Sequence, residues 1–551
     1  MSSHQRPLGR RRLALVADTV RTNRVSAVVW VAVGGVAMFG MALAISAEMD
    51  DFPGGRAALA ASVTASAEAM RVLRWPAERL DTLGGYLTFH NVILFNFMFA
   101  VYGAVQGSRA VRGGEERHTL EEVLAAGASR AAVVRDRAIG FAVTALAVSL
   151  GLGLATAAGL AVAGEPDLAG SLVTMGTVGL VGMVGFGLGL AVSQVTASAR
   201  TAAGASGVVL TALYLATNMG DRLGALDGIR FVSPFHYANA SRALVPGHGL
   251  DLPATATLVA MALVLLALGA WAFARRDYAA PLWSRAAPPP AASAAVPTAM
   301  LGSVWTAALR RGRVGIAVWA IGAAVFTALM ASLQPAVMDL WAAFDFFGAL
   351  TGGGPGVSAE TAYWSYSSDI VMPAIAAYVI AQASGWVADL AQGRVEMLLA
   401  GPVSWSRLVL ERLLALVVGT VILTVVALAS LAVGATAVGG TIDAAALGRA
   451  AVGCVLMGAA LGGVAALVVA WVRRGIAVTV LAVVVAASYL VSLFTSMFGW
   501  PDWLNRLSVF WAVGHPYLDW PTAGGLATLL ILAVPGALAA AAIAERTPKT
   551  A

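Results

Sequence analysis

The stretch RHTLEEVLAAGASRAAVVRDR, residues 117–137, returns as QGRVEMLLAGPVSWSRLVLER, residues 392–412. At one offset of 275 residues, Glu121 falls on Glu396, Leu124 on Leu399, Ala125 on Ala400, Ser129 on Ser404, Val134 on Val409, Asp136 on Glu411 and Arg137 on Arg412. Each copy has an acidic helix start, an apolar stripe, a breaker or small residue (Gly127 or Pro402) and a Ser suited to N-capping. A second amphipathic turn carrying Arg follows. This reads as a short helix, a bend and another helix beside a membrane, because long apolar runs bracket each copy.

Composition sets the class. Of 551 residues 59% are hydrophobic and 12% charged, with a mean hydropathy of +0.81. That charged fraction is about half of what a soluble domain carries, so the chain is expected to be an all-α polytopic membrane protein. Lys549 is the single lysine and Cys454 the single cysteine, which excludes an intrachain disulfide and a cysteine metal cluster. The pI near 9.8 does not indicate nucleic acid, since the basic residues sit in short loops instead of on one face. The N-terminus lacks a small-residue cleavage site, so the first span is expected to be retained.

In order, residues 10–24 read as a basic interfacial helix and 27–47 as the first span. Further spans are expected at 85–107, 139–163, 168–195, 201–217 and 255–274. Residues 275–299, with Pro288, Pro289 and Pro290, read as an extended linker between halves 1–274 and 300–551. The second half repeats the pattern with spans at 314–333, 370–387, 413–438, 445–472, 476–494 and 523–542. That makes 12 transmembrane helices. Six per half is even, so the repeats are parallel, with a pseudo-twofold axis along the membrane normal. Long outer excursions are expected at 48–84 and 334–369. With the N-terminus inside, cytoplasmic segments hold 26 of 35 Lys+Arg and 11 of 29 Asp+Glu, as the positive-inside rule favours. Both termini and both copies of the opening element then lie in the cytoplasm.

Several chemistries are missing. A Walker A loop needs Gly-Lys before Ser or Thr, and Lys549 follows a proline at the chain end. HExxH, CxxC and GxSxG have no suitable context, so no catalytic or metal-ligating residue is assigned. Gly-rich runs such as 151–159 fall inside spans, where small residues serve close packing. Carboxylates cluster at span ends and in loops, which weakens a proton-driven reading. Energy must come from another chain.

The segments TLEEVLAAGASR (119–130) and EMLLAGPVS (396–404) resemble the ABC-2 type exporter membrane subunits, with two six-span halves fused. Size and fusion are similar to the tetronasin or polyketide-antibiotic exporter permeases of actinobacteria. The resemblance departs at Gly127, where the family has Pro, and at Gln392 and Arg394, which replace Arg117 and Thr119. It implies two separate ATPase subunits, carrying ATP and Mg, docking on both elements; none of these cofactors belongs to this chain. The expected coupling residues are Glu116, Thr119, Glu121, Glu122, Leu124, Ser129 and Arg130 in the first half, and Glu396, Leu399, Pro402, Ser404 and Arg407 in the second. The apolar face (Val123, Leu124, Val133; Leu398, Leu399, Leu408) is expected to seat in an ATPase groove, with Glu115 among the acidic contacts. The alternative is that each helix is only an interfacial cap on its bundle.

The resemblance also implies an inner wall from the second, fifth, eighth and eleventh spans, with His90, Asn91, Phe95, Tyr102, Tyr214, Asn218, Tyr378, Gln382 and Tyr489 as candidates for the substrate path. For each of these, ordinary helix packing is the competing reading. A mostly apolar wall suits a hydrophobic or amphipathic antibiotic or drug. Export of a lipid or cell-surface component is the alternative within the class, and a proton-driven secondary carrier the alternative outside it. The expected setting is the plasma membrane of a bacterium.

Overall fold

A computed structural model describes residues 8–52, 54–70, 75–219, 228–282, 303–343, 357–472, 476–498 and 501–546. Among them all regular structure is helical, apart from one isolated antiparallel bridge between Arg242 and Gly249. Contacts divide the chain into two compact units, Met1–Pro289 and Pro290–Ala551. Residues 283–299 of the expected linker lie outside the described residues, as do parts of both long excursions (71–74 and 344–356).

Among the described residues, eleven helices are long and apolar enough to cross a bilayer, judged by length and composition. In unit 1 they are Ala14–Asp51, Leu83–Ala110, Arg130–Val162, Leu168–Ser193, Ala199–Asn218 and Leu252–Arg275. In unit 2 they are Val304–Pro335, Ala359–Ala391, Trp405–Ala437, Ala444–Trp471 and Ala523–Arg546; the apolar helix Ala477–Leu493 is shorter.

Two expectations about the first spans are corrected. The basic 10–24 segment is no separate interfacial helix, because helix runs unbroken from Leu8 to Asp51 with a π-helical turn at Trp30–Gly34. Between Arg10 and Gly34 no Pro or Gly interrupts it, and Thr19 and Asn23 are buried against the bundle. The seventh span is likewise longer than 314–333. Its helix covers Val304–Ala343 and passes through Pro335.

Small residues set the packing of unit 1. A Cβ on Gly103 would stand 2.0 Å from the Gly182 carbonyl oxygen, and one on Gly107 would stand 1.9 Å from that of Phe186. Reciprocally, Cβ atoms on Gly185 and Gly189 would lie 2.1 and 2.0 Å from the carbonyls of Ala100 and Ala104. The second and fourth candidate spans therefore meet backbone to backbone, which only small residues at every fourth position permit. In unit 2, hydroxyls reinforce the contact between the Val304–Ala343 and Trp405–Ala437 helices. Thr327 Oγ1 donates to the Ala427 carbonyl and Ser430 Oγ to that of Ala324, both at 2.8 Å. Such bonds contribute roughly 0.6 kcal/mol each in a membrane.

The first excursion is pinned at its base. Arg56 pairs with both Asp50 and Glu165, while the second Glu165 oxygen accepts from the Leu83 amide at 3.0 Å.

Candidate functional site

The two repeated stretches fold alike in local detail. A short helix, Thr119–Ala125, follows His118 in the left-handed region (φ 59°), and its counterpart Arg394–Leu399 follows Gly393 at φ 67°. His118 and Gly393 stand at the same offset of 275. After the bend, Ser129 Oγ accepts from the Ala132 amide and Ser404 Oγ from the Arg407 amide, both at 3.2 Å. Each cap starts a helix of 33 residues, Arg130–Val162 and Trp405–Ala437. The Ser caps satisfy orphan amides that would otherwise face the end of a membrane helix unpaired.

Burial decides which face of each short helix points inward. Leu120 and Val395, again one offset apart, are the buried residues. Neither was singled out by the sequence reading, although their apolar character and matching register carried the signal. Leu120 belongs to a cluster with Val111, Val133, Val134, Leu190 and Phe273, against which Val123, Leu124 and Tyr278 pack. The expectation that Val133 and Leu408 seat in a partner's groove is therefore corrected: each is 1% exposed and packs inside its own unit. What faces outward differs between the copies. In the first, Glu121 and Glu122 are exposed; in the second, Glu396 is exposed together with Met397 (70%) and Leu398 (38%).

Beneath the first short helix lies a polar knot that the sequence reading did not assemble. Glu115 accepts from Arg112 Nη1 at 3.0 Å and from Arg276 Nη2 at 2.6 Å, and all three side chains are essentially sealed. Arg112 also donates to the carbonyls of Ser193 (3.2 Å), Thr196 (2.8 Å) and Ala279 (2.9 Å). Arg276 Nε donates to Gln194 Oε1 at 2.8 Å. Burial holds the Arg276 guanidinium below its ordinary value, and Glu115 pulls the other way. Glu115 is thus an internal counter-ion, not an outward acidic contact, because its two oxygens are taken by buried arginines. Arg130 is also turned inward: its Nη1 donates to the Phe273 and Arg276 carbonyls at 2.7 and 2.6 Å, closing the end of the Leu252–Arg275 helix. Glu116 Oε1 accepts from the Ala199 amide at 2.8 Å, while Thr119 is exposed and Pro402 stands exposed in the bend.

Unit 2 solves the same problem with a shallower hub. Asp389 receives Arg412 at 2.8 Å, Arg394 at 3.1 Å and Arg311 at 3.8 Å, with 16% of its side chain exposed. Arg407 Nε donates to Glu411 one turn on at 2.6 Å.

A helical bundle bearing two such short helices matches known families on both units. Residues 14–278 match the ABC-2 family transporter protein model, and residues 301–545 match the C-terminal domain of the multidrug efflux system permease Rv1217c. Together these matches support an ABC-2 exporter permease. Permeases of this family partner with ABC ATPase subunits in general, and the chain is a multi-pass membrane protein. No curated protein matches the chain.

Within unit 1, the residues expected along a transport path fall into separate clusters. His90 and Asn91 sit in a π-helical turn, Thr88–Val92, where His90 stacks on Tyr86 at 4.4 Å and Asn91 Oδ1 is buried without a hydrogen-bond partner. Phe95 and Tyr102 join an aromatic cluster around Trp30, at 6.5 and 5.8 Å, and the Tyr102 hydroxyl donates to Asn23 Oδ1 at 3.3 Å. Tyr214 belongs to a second cluster with Phe97 and Phe235, at 5.1 and 5.4 Å, and Asn218 is buried on the same helix. In unit 2, Tyr378 is buried against Gly419. Gln382 lines a cavity of about 30 Å³ with Trp386 and Arg412, and Tyr489 stands edge-on to Phe510 at 5.2 Å, 41% exposed. Trp30, Phe97 and Phe99 complete these clusters; their spacing was visible in the sequence but not their contacts. Among the described residues no group of three or more His, Cys, Asp and Glu is placed to hold a metal ion.

Proposed function

We propose that the chain is the membrane subunit of an ATP-binding cassette exporter, built from two six-span halves, 1–274 and 300–551, joined by the 275–299 segment. Two ATPase subunits dock on the short helices Thr119–Ala125 and Arg394–Leu399, and ATP and Mg are bound on those partners, not here. The shorter apolar helix Ala477–Leu493 serves as the twelfth span. The termini lie in the cytoplasm of a bacterium, as the excess of Arg in the loops on that side favours. The chain is a transport subunit, not an enzyme.

The observation that carries this reading is the matched construction of the two short-helix elements. Left-handed entry, one buried apolar residue, one exposed Glu (Glu121, Glu396), a Ser cap and a 33-residue helix all recur at a single offset. An interfacial cap has no need of that register. ATP-driven closure of the partners then moves each half through its short helix and alternates access to the transport path. The cargo is a hydrophobic or amphipathic small molecule of the drug or antibiotic type, in keeping with the multidrug efflux description of the model matched by unit 2 and with aromatic walls around Trp30 and Tyr214.

Reconstitution tests it. The chain is placed in proteoliposomes with and without a candidate partner ABC ATPase, and efflux of dyes and antibiotics is followed. ATP-dependent efflux needing both chains is the expected result. Efflux by the permease alone that follows a proton gradient points to a secondary carrier, and flipping of labelled lipid with no drug efflux points to lipid export. Glu121→Arg with Glu396→Arg is expected to abolish ATPase association while leaving membrane insertion intact.

A further inference from the structure

Most arginines near the first short helix have partners. Arg112 and Arg276 hold Glu115, Arg137 holds Asp18, Arg135 holds Asp136, and Arg130 holds two carbonyls. Arg109, Arg117 and Arg200 are different. A Cβ on Gly113 would lie 3.3 Å from Arg109 Cβ and 4.0 Å from Arg117 Nη2, so these two side chains share one side of the Arg112–Glu116 turn. Both Arg117 and Arg200 stand within electrostatic range of Arg109, and all three are exposed. The carboxylate acting on Arg109, Glu116, has one oxygen committed to the Ala199 amide, the residue before Arg200. Guanidinium groups stay protonated, so three of them with this one carboxylate in range leave an excess of positive charge. An anion held among them removes that repulsion.

The position of the cluster identifies the anion. Arg109 is the penultimate residue of the candidate span Leu83–Ala110, and Arg200 is the second residue of Ala199–Asn218. Both therefore stand at span ends, the depth at which lipid phosphates lie. On the Ile93–Ala110 helix, Met98 (54% exposed) and the half-exposed Val105 share a face with Arg109, offering an apolar stripe below the charge. A free phosphate has no use for such a stripe, whereas an acyl chain does. We propose that Arg109, Arg117 and Arg200 form a binding site for the phosphate headgroup of an anionic phospholipid. The side of the membrane on which it lies rests on the orientation proposed above; the site itself does not. At the offset of 275 the sequence does not repeat these three arginines: Arg109 becomes Ser384, Arg117 becomes Gln392 and Arg200 becomes Gly475.

The test uses the purified full chain in neutral detergent, titrated with phosphatidylglycerol or phosphatidylcholine and read by native mass spectrometry. Selective retention of phosphatidylglycerol is expected. It should weaken about fivefold for each of Arg109→Gln, Arg117→Gln and Arg200→Gln, and on the order of a hundredfold in the triple variant. Arg394→Gln, the unit 2 control, should leave it unchanged. Arg117→Gln lies in an exposed turn, so it keeps the test alive if the triple variant does not fold. Equal retention of both lipids, undiminished phosphatidylglycerol binding by Arg117→Gln, or full displacement by millimolar inorganic phosphate would each overturn the proposal.

Discussion

Arg276 donates through Nη2 to Glu115 Oε1 at 2.6 Å, and the two side chains are 0% and 1% exposed. They lie 161 residues apart in sequence, so this ion pair ties the segment before the first short helix to the end of the sixth candidate span. A buried pair adds little when whole, but breaking it leaves a charge with no counter-ion. Glu115→Gln strands Arg112 and Arg276 together. The loss expected is about 3–5 kcal/mol, read as a lower melting temperature of the purified protein. A shift matching that of a surface substitution would show that water replaces the carboxylate.

Removing either Ser cap should loosen only the start of its long helix. Ser129→Ala and Ser404→Ala are each expected to cost about 1 kcal/mol. Hydrogen exchange at the Ala132 and Arg407 amides, from which those hydroxyls accept, should speed up about fivefold. Exchange deeper in the same helices should stay as it was. Uniform acceleration along a helix would mean that the cap holds more than its first turn.

The backbone contact between the second and fourth candidate spans makes Gly185 irreplaceable. Its Cβ would meet the Ala100 carbonyl at 2.1 Å, and a backbone atom between two packed helices has nowhere to move. Gly185→Ala is expected to abolish recovery of folded protein. Gly204, also helical, has no atom within 4 Å of its Cβ position. Gly204→Ala should stabilise by about 0.4–1 kcal/mol, through the unfolded chain. Thermal melts of the two variants side by side decide the matter.

Tyr378 and Gly419 are matched in the same way, but by a side chain. A Cβ at Gly419 would lie 1.9 Å from the Tyr378 hydroxyl oxygen. Gly419→Ala is expected to destabilise unit 2 by roughly 1–3 kcal/mol, and adding Tyr378→Phe should restore most of the loss. A double variant no more stable than Gly419→Ala alone would place the strain elsewhere.

Under the proposed docking of ATPase subunits on the short helices, their different outward faces predict unequal contacts. Met397, 70% exposed, has Glu122 at the matching position of the first copy. Met397→Asp is expected to weaken ATPase association through the second half about tenfold, in proportion to an apolar contact of roughly 1–2 kcal/mol. Glu122→Gln should change the salt dependence of binding more than its strength. Equal responses, measured in pull-down titrations at two ionic strengths, would make the two elements equivalent.

Some of this was legible in the chain itself. Hydropathy and length mark the apolar helices, because a segment that must satisfy its own backbone bonds in hydrocarbon advertises itself. The offset of 275 and the Ser caps could be read because a cap acts on an amide three residues away. The length of the first helix was misjudged, since basic residues signal an interface but do not break a helix. The inward turn of Val133 and Leu408 was missed because an apolar stripe does not say which neighbour it meets.

The amino-acid sequence alone determined the membrane class, the duplicated short-helix elements, their caps and the charge bias of the loops, all of which depend on composition or on residues within one or two turns. Only the tertiary structure decided that Leu120 and Val395 are the buried anchors, that Glu115 is an internal counter-ion and that Arg109, Arg117 and Arg200 gather around too little negative charge. Those facts depend on partners 81 to 161 residues away, brought together by close glycine contacts between helices. No local pattern encodes which of several exposed arginines the packing will leave with too little negative charge.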